Sequence, residues 1–271
     1  MDRYSAAMTT PGLRLEVSDG VGTLTFDRPD ALNALDLATK TALLDALAEL
    51  AADEAVRCVV LTGTGRAFCV GQDLREHAAG LSSGAVEEVW RTVPEHYNPL
   101  ALALQALDKP VVAAVNGVAA GAGASLAFLA DLRVVAASAS FTLAFAGIGL
   151  SCDTGASWTL PRLVGPTRAM ELLYSGRRVS AEEALAIGLA TEVVPDEQFA
   201  AHVRALALRL AAGPTLAFAA IRRAVTGAAG QSLAGALEIE AEGMRRTGAS
   251  ADHRAAVAAF LAKQRPTFSG R

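Results

Sequence analysis

Several signatures of common protein classes are missing from this sequence. It has no run of Lys and Arg, and its formal net charge is −4, so no part of it has the charge pattern of a polyanion-binding surface. Its three cysteines show no CxxC spacing, and an odd number in a globular chain is typical of a reducing compartment. No HExxH or other metal-ligand spacing occurs among His77, His96, His202 and His253. We therefore predict a cytoplasmic protein without a metal site or a nucleic-acid partner.

Signals for secretion and membrane insertion are also missing. The first ten residues, MDRYSAAMTT, contain no apolar segment of the kind that a secretory signal needs. The longest uncharged run, residues 110–130, is long enough to cross a bilayer, but it begins with proline and carries Asn116, Gly117, Gly121 and Gly123. We predict that this run forms a buried strand, a turn and a buried helix, and we expect no membrane partner.

What the sequence does contain is a repeated alternation of strand and helix patterns. Hydrophobic residues make up 52% of the 271 residues, which is enough for a sizeable core. Residues 13–29 have the pattern of a hairpin that turns at Asp19-Gly20, and residues 36–53 have helical periodicity. The apolar segments 57–63, 110–115 and 132–138 show no alternation, as in a sheet covered on both faces. This alternation predicts an α/β fold.

Two helical regions carry more specific signals. Residues 84–108 have a helical pattern that we expect to be interrupted near Pro94 and Pro99. Ser180 and Glu183 form a capping-box sequence, and the short helix that follows is expected to end at Gly188. Beyond Pro195 the sequence contains four helical segments and little strand pattern. We therefore predict an α/β part over residues 1–195 and an all-helical part over residues 196–271.

Two glycine-rich turns each follow a predicted core strand. Gly117, Gly121 and Gly123 lie between a buried strand and a helix, where backbone N–H groups can approach a ligand closely. Close packing of the helix on the strand is the alternative interpretation. A dinucleotide fingerprint fails because Leu126 occupies its third glycine position, and no Gly-Lys-Ser/Thr of a P-loop follows. The other turn, GTGRAFCVGQDL, spans residues 63–74. Two such turns could each aim one N–H at a single oxygen and so form an oxyanion hole.

Three segments together resemble the crotonase, or enoyl-CoA hydratase/isomerase, superfamily. They are GRAFCVGQDL (65–74), KPVVAAVNGVAAGAGASLAF (109–128) and GLSCDTGASWTLPRLVG (149–165), and the C-terminal AAVAAFLAKQRPTF fits the closing segment of the superfamily. The resemblance implies an α/β, crotonase (ClpP-like) fold of repeated ββα units with an all-helical C-terminal trimerisation region. It also implies acyl-CoA thioester substrates and self-association as a homotrimer or a dimer of trimers. Coenzyme A then enters as part of the substrate, and no separate cofactor is expected.

The resemblance also assigns residues. The two backbone N–H groups that hold an enolate oxygen would belong to Gln72 and Ala122, where side-chain identity is expected to matter little. The residues that correspond to the CoA-binding positions are Arg28, Ala67, Asp73 and Lys263, although a solvated surface charge is an equally good interpretation of Arg28 and Lys263.

The sequence departs from the superfamily where hydratases carry two glutamates. Ser125 and Phe145 occupy those positions, and neither supplies the acid and base that addition of water requires. The same segment offers one carboxylate, since Asp153 is the only charged residue between Arg133 and Arg162. Superfamily members that isomerise ring-epoxides of phenylacetyl-CoA resemble the chain in NGVAAGAGA, in YNPL and in an Asp at this position. We therefore predict an acyl-CoA isomerase with Asp153 as its base.

Other interpretations of these residues remain open at the level of sequence. Asp153 would also serve as a helix N-cap in DTGASW. Asn98 either assists by hydrogen bonding near the acyl group or is a turn residue before Pro99. An enoyl-CoA hydratase is the alternative activity, and a non-catalytic acyl-CoA-binding protein is the alternative of another class. Cys152 and Ser125 are expected to have packing roles, because neither has the sequence context of a nucleophile.

Overall fold

The computed structural model describes residues 6–84 and 86–271. Antiparallel hairpins open the chain: β1 (Ala6–Thr10) pairs with β2 (Leu13–Ser18), which pairs with β3 (Val21–Phe26). Asp19 and Gly20 turn between β2 and β3 with φ of 52° and 77°, the left-handed pair that a two-residue hairpin turn requires. The predicted hairpin is therefore confirmed, while β1 adds a strand that the sequence did not predict.

The next segment contains the first long helix and the first strand–strand–helix unit. The helix α1 (Leu37–Ala52) begins at Asp36, whose side chain accepts from the backbone N–H of Thr39. The unit that follows consists of β4 (Cys58–Gly63), β5 (Ala67–Cys69) and α2 (Leu74–Ser82).

Residues 86–106 form a helical stretch without the predicted interruption. It runs from α3 (Val86–Thr92) through a π-helical turn (Val93–Tyr97) into α4 (Asn98–Ala106). The backbone N–H of Asn98 bonds to the carbonyl of Val93, five residues back. This wider turn accommodates the prolines, because the ring of Pro99 would otherwise meet the carbonyl four residues before it. The helix therefore continues, and Asn98 is helical rather than part of a turn.

Two more units of the same kind follow, and then a mixed segment. The second unit is β6 (Val111–Val115), β7 (Val118–Ala120) and α5 (Ala122–Phe128), and the third is β8 (Leu132–Ala136), β9 (Ser140–Thr142) and α6 (Ala156–Val164). The run 110–130 is thus two strands and a helix, where one strand, a turn and a helix were predicted. The mixed segment contains α7 (Pro166–Ser175), β10 (Arg178–Ser180), α8 (Ala181–Ala186) and β11 (Glu192–Val194).

Each unit places one strand in each of two sheets. The larger sheet has the order β1-β2-β3-β4-β6-β8-β11 and is parallel from β3 onward. The smaller sheet has the order β10-β9-β7-β5, in which β9, β7 and β5 are parallel. The first strands of the units, β4, β6 and β8, are almost entirely buried, as their unbroken apolar sequences predicted. The repeated ββα architecture is therefore present.

The capping box at α8 forms only in part. Ser180 caps α8 by accepting from the backbone N–H of Glu183, as predicted. The side chain of Glu183 does not return to Ser180, because it pairs with Arg177 at 2.7 and 2.8 Å.

The chain after β11 is helical: α9 (Asp196–Ala211), α10 (Thr215–Ala228), α11 (Leu233–Gly248) and α12 (Ala251–Leu261). The first of these, α9, packs on the larger sheet against β3, β4, β8 and β11, so the helical part begins on the surface of the α/β part. Within the described residues no single helix is long and apolar enough to cross a membrane. The bent pair α9 and α10 passes that test together, with an angle of 99° between the helices.

Candidate active site

The candidate site lies at one edge of the smaller sheet, where β5, β7 and β9 end side by side. Because the three strands are parallel, the segments that follow them emerge at the same edge. These segments are residues 70–73, 121–122 and 143–153. They line a cleft of about 530 Å³, a volume typical of a small-molecule site.

The first two segments are in direct contact. A Cβ placed on Gly71 would lie 2.9 Å from the backbone nitrogen of Ala122 and 3.0 Å from the carbonyl oxygen of Ala120. Gly71 has φ of 81°, and Gly121 has φ of 51° with ψ of −127°, a conformation that residues with a side chain rarely adopt. Glycine at these two positions therefore allows the two chains to approach each other.

Each of these turns contributes one cleft-lining residue whose backbone N–H has no acceptor in the described part of the chain. The two N–H groups are those of Gln72 and Ala122. Ala122 is the first residue of α5, so its N–H has no partner within the helix. Gln72 lies opposite Leu35 in a parallel bridge in which the carbonyl of Gly71 and the N–H of Asp73 bond to Leu35, so the N–H of Gln72 faces away from Leu35.

Other glycines of the same turns have packing roles. A Cβ on Gly123 would lie 2.2 Å from the carbonyl oxygen of Cys69, and one on Gly117 would lie 2.2 Å from that of Arg66. The packing interpretation is therefore confirmed for Gly117 and Gly123. Gly121 lines the cleft, and the approach of its turn to a ligand stays a prediction.

Asp153 lines the cleft from the third segment and is half-buried. Burial raises the pKa of its carboxyl group above the ordinary value, against the opposing effects of a hydrogen bond from Thr154 and the charge of Lys40. The hydroxyl of Thr154 donates to Oδ1 of Asp153 at 2.9 Å. A half-buried carboxylate with a raised pKa, in the same cleft as two N–H groups without acceptors among the described residues, is a candidate general base.

The alternative interpretation of Asp153 as a helix cap is wrong. The N-cap of α6 is Gly155, and no side chain caps this helix. Only the backbone carbonyl of Asp153 contributes, by accepting from the N–H of Ala156. Thr154 and Gly155 have φ of 52° and 79°, so a β-branched residue is held in the left-handed region. Conformations of this kind are typical of functional sites, where the surrounding structure enforces them.

The residues at the two glutamate positions have no acid–base chemistry in the structure. The hydroxyl of Ser125 is buried and donates to the carbonyl of Gly121 at 3.1 Å, which is a bond along the helix. Phe145 is 8% exposed and forms an apolar wall of the cleft near Gly121. Cys152 is half-buried and packs against the core, as expected.

The candidate CoA-binding residues fall into two groups. Arg28 and Asp73 line the cleft and are paired at 2.9 Å, and Arg28 also contacts Asp36 at 3.2 Å. Arg28 is therefore an ion-paired residue rather than a solvated charge. Burial raises the pKa of Asp73, but hydrogen bonds from Arg28 and from the backbone of Glu76 and Arg75 outweigh that effect and hold it below its ordinary value.

The remaining predicted residues lie outside the cleft. Ala67 is buried in β5 and does not line it. Asn98 is exposed at the start of α4, and Lys263 is exposed beyond α12, so the structure of one chain brings neither of them to Asp153. Their contacts with a substrate remain predictions. No group of His, Cys, Asp and Glu in the described part of the chain is arranged to hold a metal ion.

Sequence reasoning missed two polar residues behind the cleft. Lys40 and Tyr97 are buried, and both donate to the side-chain oxygen of Gln72, at 3.1 and 2.7 Å. The prediction that the side chain of Gln72 has little importance therefore overlooked a specific pair of contacts. One signal was available for Lys40: it lies three and seven residues before Leu43 and Leu47, which places it on the buried face of α1.

Comparison with known proteins identifies the family. A family model described as enoyl-CoA hydratase/isomerase matches residues 16–271, which is nearly the whole chain. The chain belongs to the enoyl-CoA hydratase/isomerase family. The superfamily predicted from the three sequence motifs is therefore confirmed, and the family implies an acyl-CoA substrate.

Relatives in this family differ in the reaction that their names state. A Rhodobacter capsulatus protein named "Probable enoyl-CoA hydratase" is 47% identical over 260 residues, covering 96% of this chain and 98% of the relative. The 1,2-epoxyphenylacetyl-CoA isomerase of Escherichia coli is 42% identical over 255 residues, covering 94% and 97%. A solved enoyl-CoA hydratase/isomerase from Cupriavidus metallidurans is 31% identical with a TM-score of 0.90, covering 97% and 98%. The crotonase fold is thus shown, whereas the names divide between hydratase and isomerase.

Proposed function

We propose that this member of the family is an acyl-CoA isomerase that moves a proton through a thioester enolate. The observation that carries the proposal is that Asp153 lines the same cleft as Gln72 and Ala122, whose backbone N–H groups have no acceptor among the described residues. The substrate class is 2-(1,2-epoxy-1,2-dihydrophenyl)acetyl-CoA or an enoyl-CoA whose double bond is shifted. The name of the Escherichia coli relative supports the first of these.

The chemistry follows from the positions of these groups. The thioester carbonyl oxygen accepts hydrogen bonds from the N–H groups of Gln72 and Ala122. When Asp153 removes a proton from the acyl chain, negative charge moves to that oxygen, where the two donors stabilise it without reorganisation. The protonated Asp153 then returns the proton to another carbon. Its raised pKa favours both steps, because the carboxylate is a stronger base and remains protonated long enough to act as the acid.

The other carboxylates of the cleft are less suited to this role. Asp73 is paired with Arg28 and caps α2 by accepting from the backbone N–H of Arg75 and Glu76. Asp30 is exposed on a short 3₁₀ turn at the rim. Asp153 is half-buried, and that burial raises the pKa of its carboxyl group.

For the CoA moiety we propose binding at the mouth of the cleft. Arg28, Ala67, Asp73 and Lys263 correspond to CoA-contacting positions of the superfamily. Lys263 lies beyond α12, so we expect it to contact the CoA from the side of the C-terminal helices. The exposed Arg66 and Arg75, at the mouth, add cations that can adjust to phosphate groups. Arg28, with its two carboxylate partners, would fix the loop rather than carry a phosphate alone.

We also propose self-association as a homotrimer or a dimer of trimers through the C-terminal helices. Large apolar side chains are exposed on α10, α11 and α12, namely Ile221, Val225, Leu233, Leu237, Met244, Val257, Phe260 and Leu261. So many exposed apolar side chains on adjacent helices are typical of a surface that is covered by a partner. Light scattering of the purified chain tests this, with a monomer as the contradicting result.

Hydratase activity is the second candidate, and the name of the Rhodobacter capsulatus relative favours it. Hydration needs one group to activate water and one to protonate carbon. Ser125 and Phe145 supply neither in this structure, so Asp153 would have to serve with a substrate-held water.

One experiment separates these reactions. The wild-type protein is incubated with a 3-enoyl-CoA and, separately, with crotonyl-CoA, and enoyl absorbance is followed. We expect absorbance to rise with the first substrate as the double bond moves into conjugation, and to change little with the second. Asp153→Asn should lower isomerisation by about 10²- to 10⁴-fold, the usual contribution of a general base. Asp30→Asn, which removes an exposed carboxylate of the same cleft, is the matched control and should be near wild type.

The alternatives make different predictions in the same assay. Rapid loss of crotonyl-CoA absorbance in the wild type would support a hydratase. If that loss is abolished in Asp153→Asn, Asp153 serves hydration with a substrate-held water; if it persists in Asp153→Asn, the proposed role of Asp153 is rejected. Binding of acyl-CoA without exchange of the C2 proton in heavy water would support a non-catalytic acyl-CoA-binding protein.

A further inference from the structure

A cluster of buried polar side chains lies directly behind the candidate oxyanion hole. Lys40 is 2% exposed and Tyr97 is 1% exposed, and they come from α1 and from the π-helical turn before α4. The ammonium of Lys40 lies 3.1 Å and the hydroxyl of Tyr97 lies 2.7 Å from the same atom, Oε1 of Gln72. Two elements distant in sequence therefore converge on one side-chain oxygen.

These contacts fix the orientation of the Gln72 amide. An ammonium can only donate hydrogen bonds, and the Tyr97 hydroxyl has Oε1 as its described partner. Two donors at one position require the oxygen, not the NH₂ group, of the amide there. Nε2 then faces the carbonyl of Asp73 and the carboxylate of Glu76, at 3.4 and 3.5 Å.

Lys40 is itself held in place by further contacts. It donates to the hydroxyl of Thr92 at 2.7 Å, which in turn lies 3.3 Å from Nδ1 of His96. Its ammonium lies 5.2 Å from the ring centre of Tyr97 and 3.8 Å from the carboxylate of Glu76. Burial lowers the pKa of Lys40, and four carboxylates oppose that effect: Glu76, Asp36, Asp153 and Asp73.

A buried lysine elsewhere in the chain provides a comparison. Lys109 is 6% exposed, and it donates to the backbone carbonyls of Leu50 and Asp53 at the end of α1. That arrangement closes a helix and requires no other side chain. Lys40 instead donates to the side chains of Thr92 and Gln72, and Gln72 lines the cleft.

The backbone around Gln72 is fixed on the opposite side. Leu35 donates to the carbonyl of Gly71 at 2.7 Å and accepts from the N–H of Asp73 at 3.0 Å. The backbone of Gln72 is thus held on one side by the bonds of Gly71 and Asp73 to Leu35. On the other side it is held through the Gln72 side chain, which Lys40 and Tyr97 contact. A rotation of this peptide would have to break one of these sets of bonds.

We infer that Lys40 and Tyr97 are positioning residues, which hold the Gln72 peptide by its side chain so that its N–H points at the substrate oxygen. The inference rests on the proposed function, because it assigns the N–H of Gln72 to the oxyanion hole. The positive charge of Lys40 also acts on Asp153, whose ionised form it favours. Lys40 therefore affects both the oxyanion hole, through Gln72, and the base Asp153, whereas Tyr97 affects only the oxyanion hole.

The test measures kcat and KM for Tyr97→Phe, Lys40→Met and the control Lys109→Met, with a 3-enoyl-CoA as the probe. Displacement of a catalytic group by a distant substitution lowers rates by up to about 100-fold. We expect Tyr97→Phe and Lys40→Met to lower kcat by about 10- to 100-fold with KM changed less than about twofold, because CoA binding is unaffected. Lys109→Met should lower stability and leave kcat near wild type.

Two further readouts separate positioning from general destabilisation. In a Gln72→Met background, which removes the shared acceptor, Tyr97→Phe should have little additional effect on kcat. The acidic limb of the pH–kcat/KM profile should move to higher pH in Lys40→Met and stay in place in Tyr97→Phe. The reason is that the pKa of Asp153 rises when the nearby positive charge is removed.

The outcomes distinguish this inference from the proposed function. If wild type shows no isomerisation and no C2 proton exchange, the proposed function fails. If wild type is active and Asp153→Asn is not, but Tyr97→Phe keeps wild-type kcat, the positioning role is rejected while the proposed function stands. The positioning role is also rejected if Tyr97→Phe lowers kcat by the same factor in the wild-type and in the Gln72→Met background. Tyr97→Phe retains the ring, so it keeps the test valid even if Lys40→Met fails to fold.

Discussion

The contact between the two glycine turns leads to a sharp prediction for Gly71→Ala. The added Cβ would lie 2.9 Å from the backbone nitrogen of Ala122 and 3.0 Å from the carbonyl oxygen of Ala120, about half an ångström closer than ordinary van der Waals contact. Both atoms belong to the main chain, so no side-chain rotation relieves the overlap. The turns must separate, and one of the two proposed donors moves away from the substrate oxygen.

The size of the effect follows from this displacement. A misplacement of about 1 Å costs about 100-fold in rate, so half of that distance should cost about 10-fold. Complete loss of one oxyanion donor costs about 10²- to 10³-fold. We therefore expect kcat of Gly71→Ala to fall between these limits, by about 10- to 10³-fold. The φ of 81° adds backbone strain of about 1–2 kcal/mol, so the protein should also be less stable.

Gly20→Ala is the matched control for this substitution. Gly20 has φ of 77° in the turn between β2 and β3, and its added Cβ would meet other atoms no closer than 3.5 Å. It should lose stability through backbone strain alone, measured by chemical denaturation, without losing kcat, measured as isomerisation of a 3-enoyl-CoA. Gly71→Ala with wild-type kcat would refute the assignment of the Gln72 and Ala122 N–H groups to one oxyanion hole.

Three further predictions concern acid–base behaviour and stability. Because Asp153 must be ionised to act as a base, kcat/KM should fall as the pH decreases through its pKa, and this acidic limb should lie above the ordinary pKa range of Asp. A pH–rate profile tests this, and an acidic limb within the ordinary Asp range contradicts it. Arg222→Met removes the charged partner of Asp131 at 2.8 Å and the donor to the carbonyls of Leu104, Gln105 and Leu107, so it should cost about 3–5 kcal/mol in denaturant unfolding. Adding Asp131→Asn should recover part of the loss, whereas an unchanged midpoint would show that the pair is dispensable. Ser125→Ala should keep kcat within about threefold, because its hydroxyl is satisfied along the helix, and a larger loss would give Ser125 a chemical role.

The sequence was sufficient for the parts of the fold that have a long local pattern. The hairpin at Asp19-Gly20, the helix α1 and the buried strands β4, β6 and β8 were all predicted from periodicity and turn residues. The strands β5 and β7 were not, because three residues are too few to show an alternation. Pro94 and Pro99 misled the helical prediction, since a π-helical turn is a tertiary solution that no local propensity encodes.

The site was predictable only in part for a related reason. Glycine at position 71 or 121 is compatible with a positive φ, but the sequence alone does not show that the two turns are in contact. Asp153 was ambiguous because a helix cap and a catalytic base have the same local sequence, and the structure excludes only the cap. Lys40 and Tyr97 were missed because their common partner, Gln72, is distant from both in the chain.

The arrangement of the smaller sheet also bears on how reactions diversify on this scaffold. The two amide donors are main-chain groups on the segments after β5 and β7, while the carboxylate stands on the segment after β9. If these groups act as proposed, substitutions on the third segment replace the group that moves the proton and leave the two N–H donors in place. Under the proposed function, the N–H groups on the first two segments stabilise the enolate, and the third segment, which here carries Phe145 and Asp153, determines how the proton is then moved.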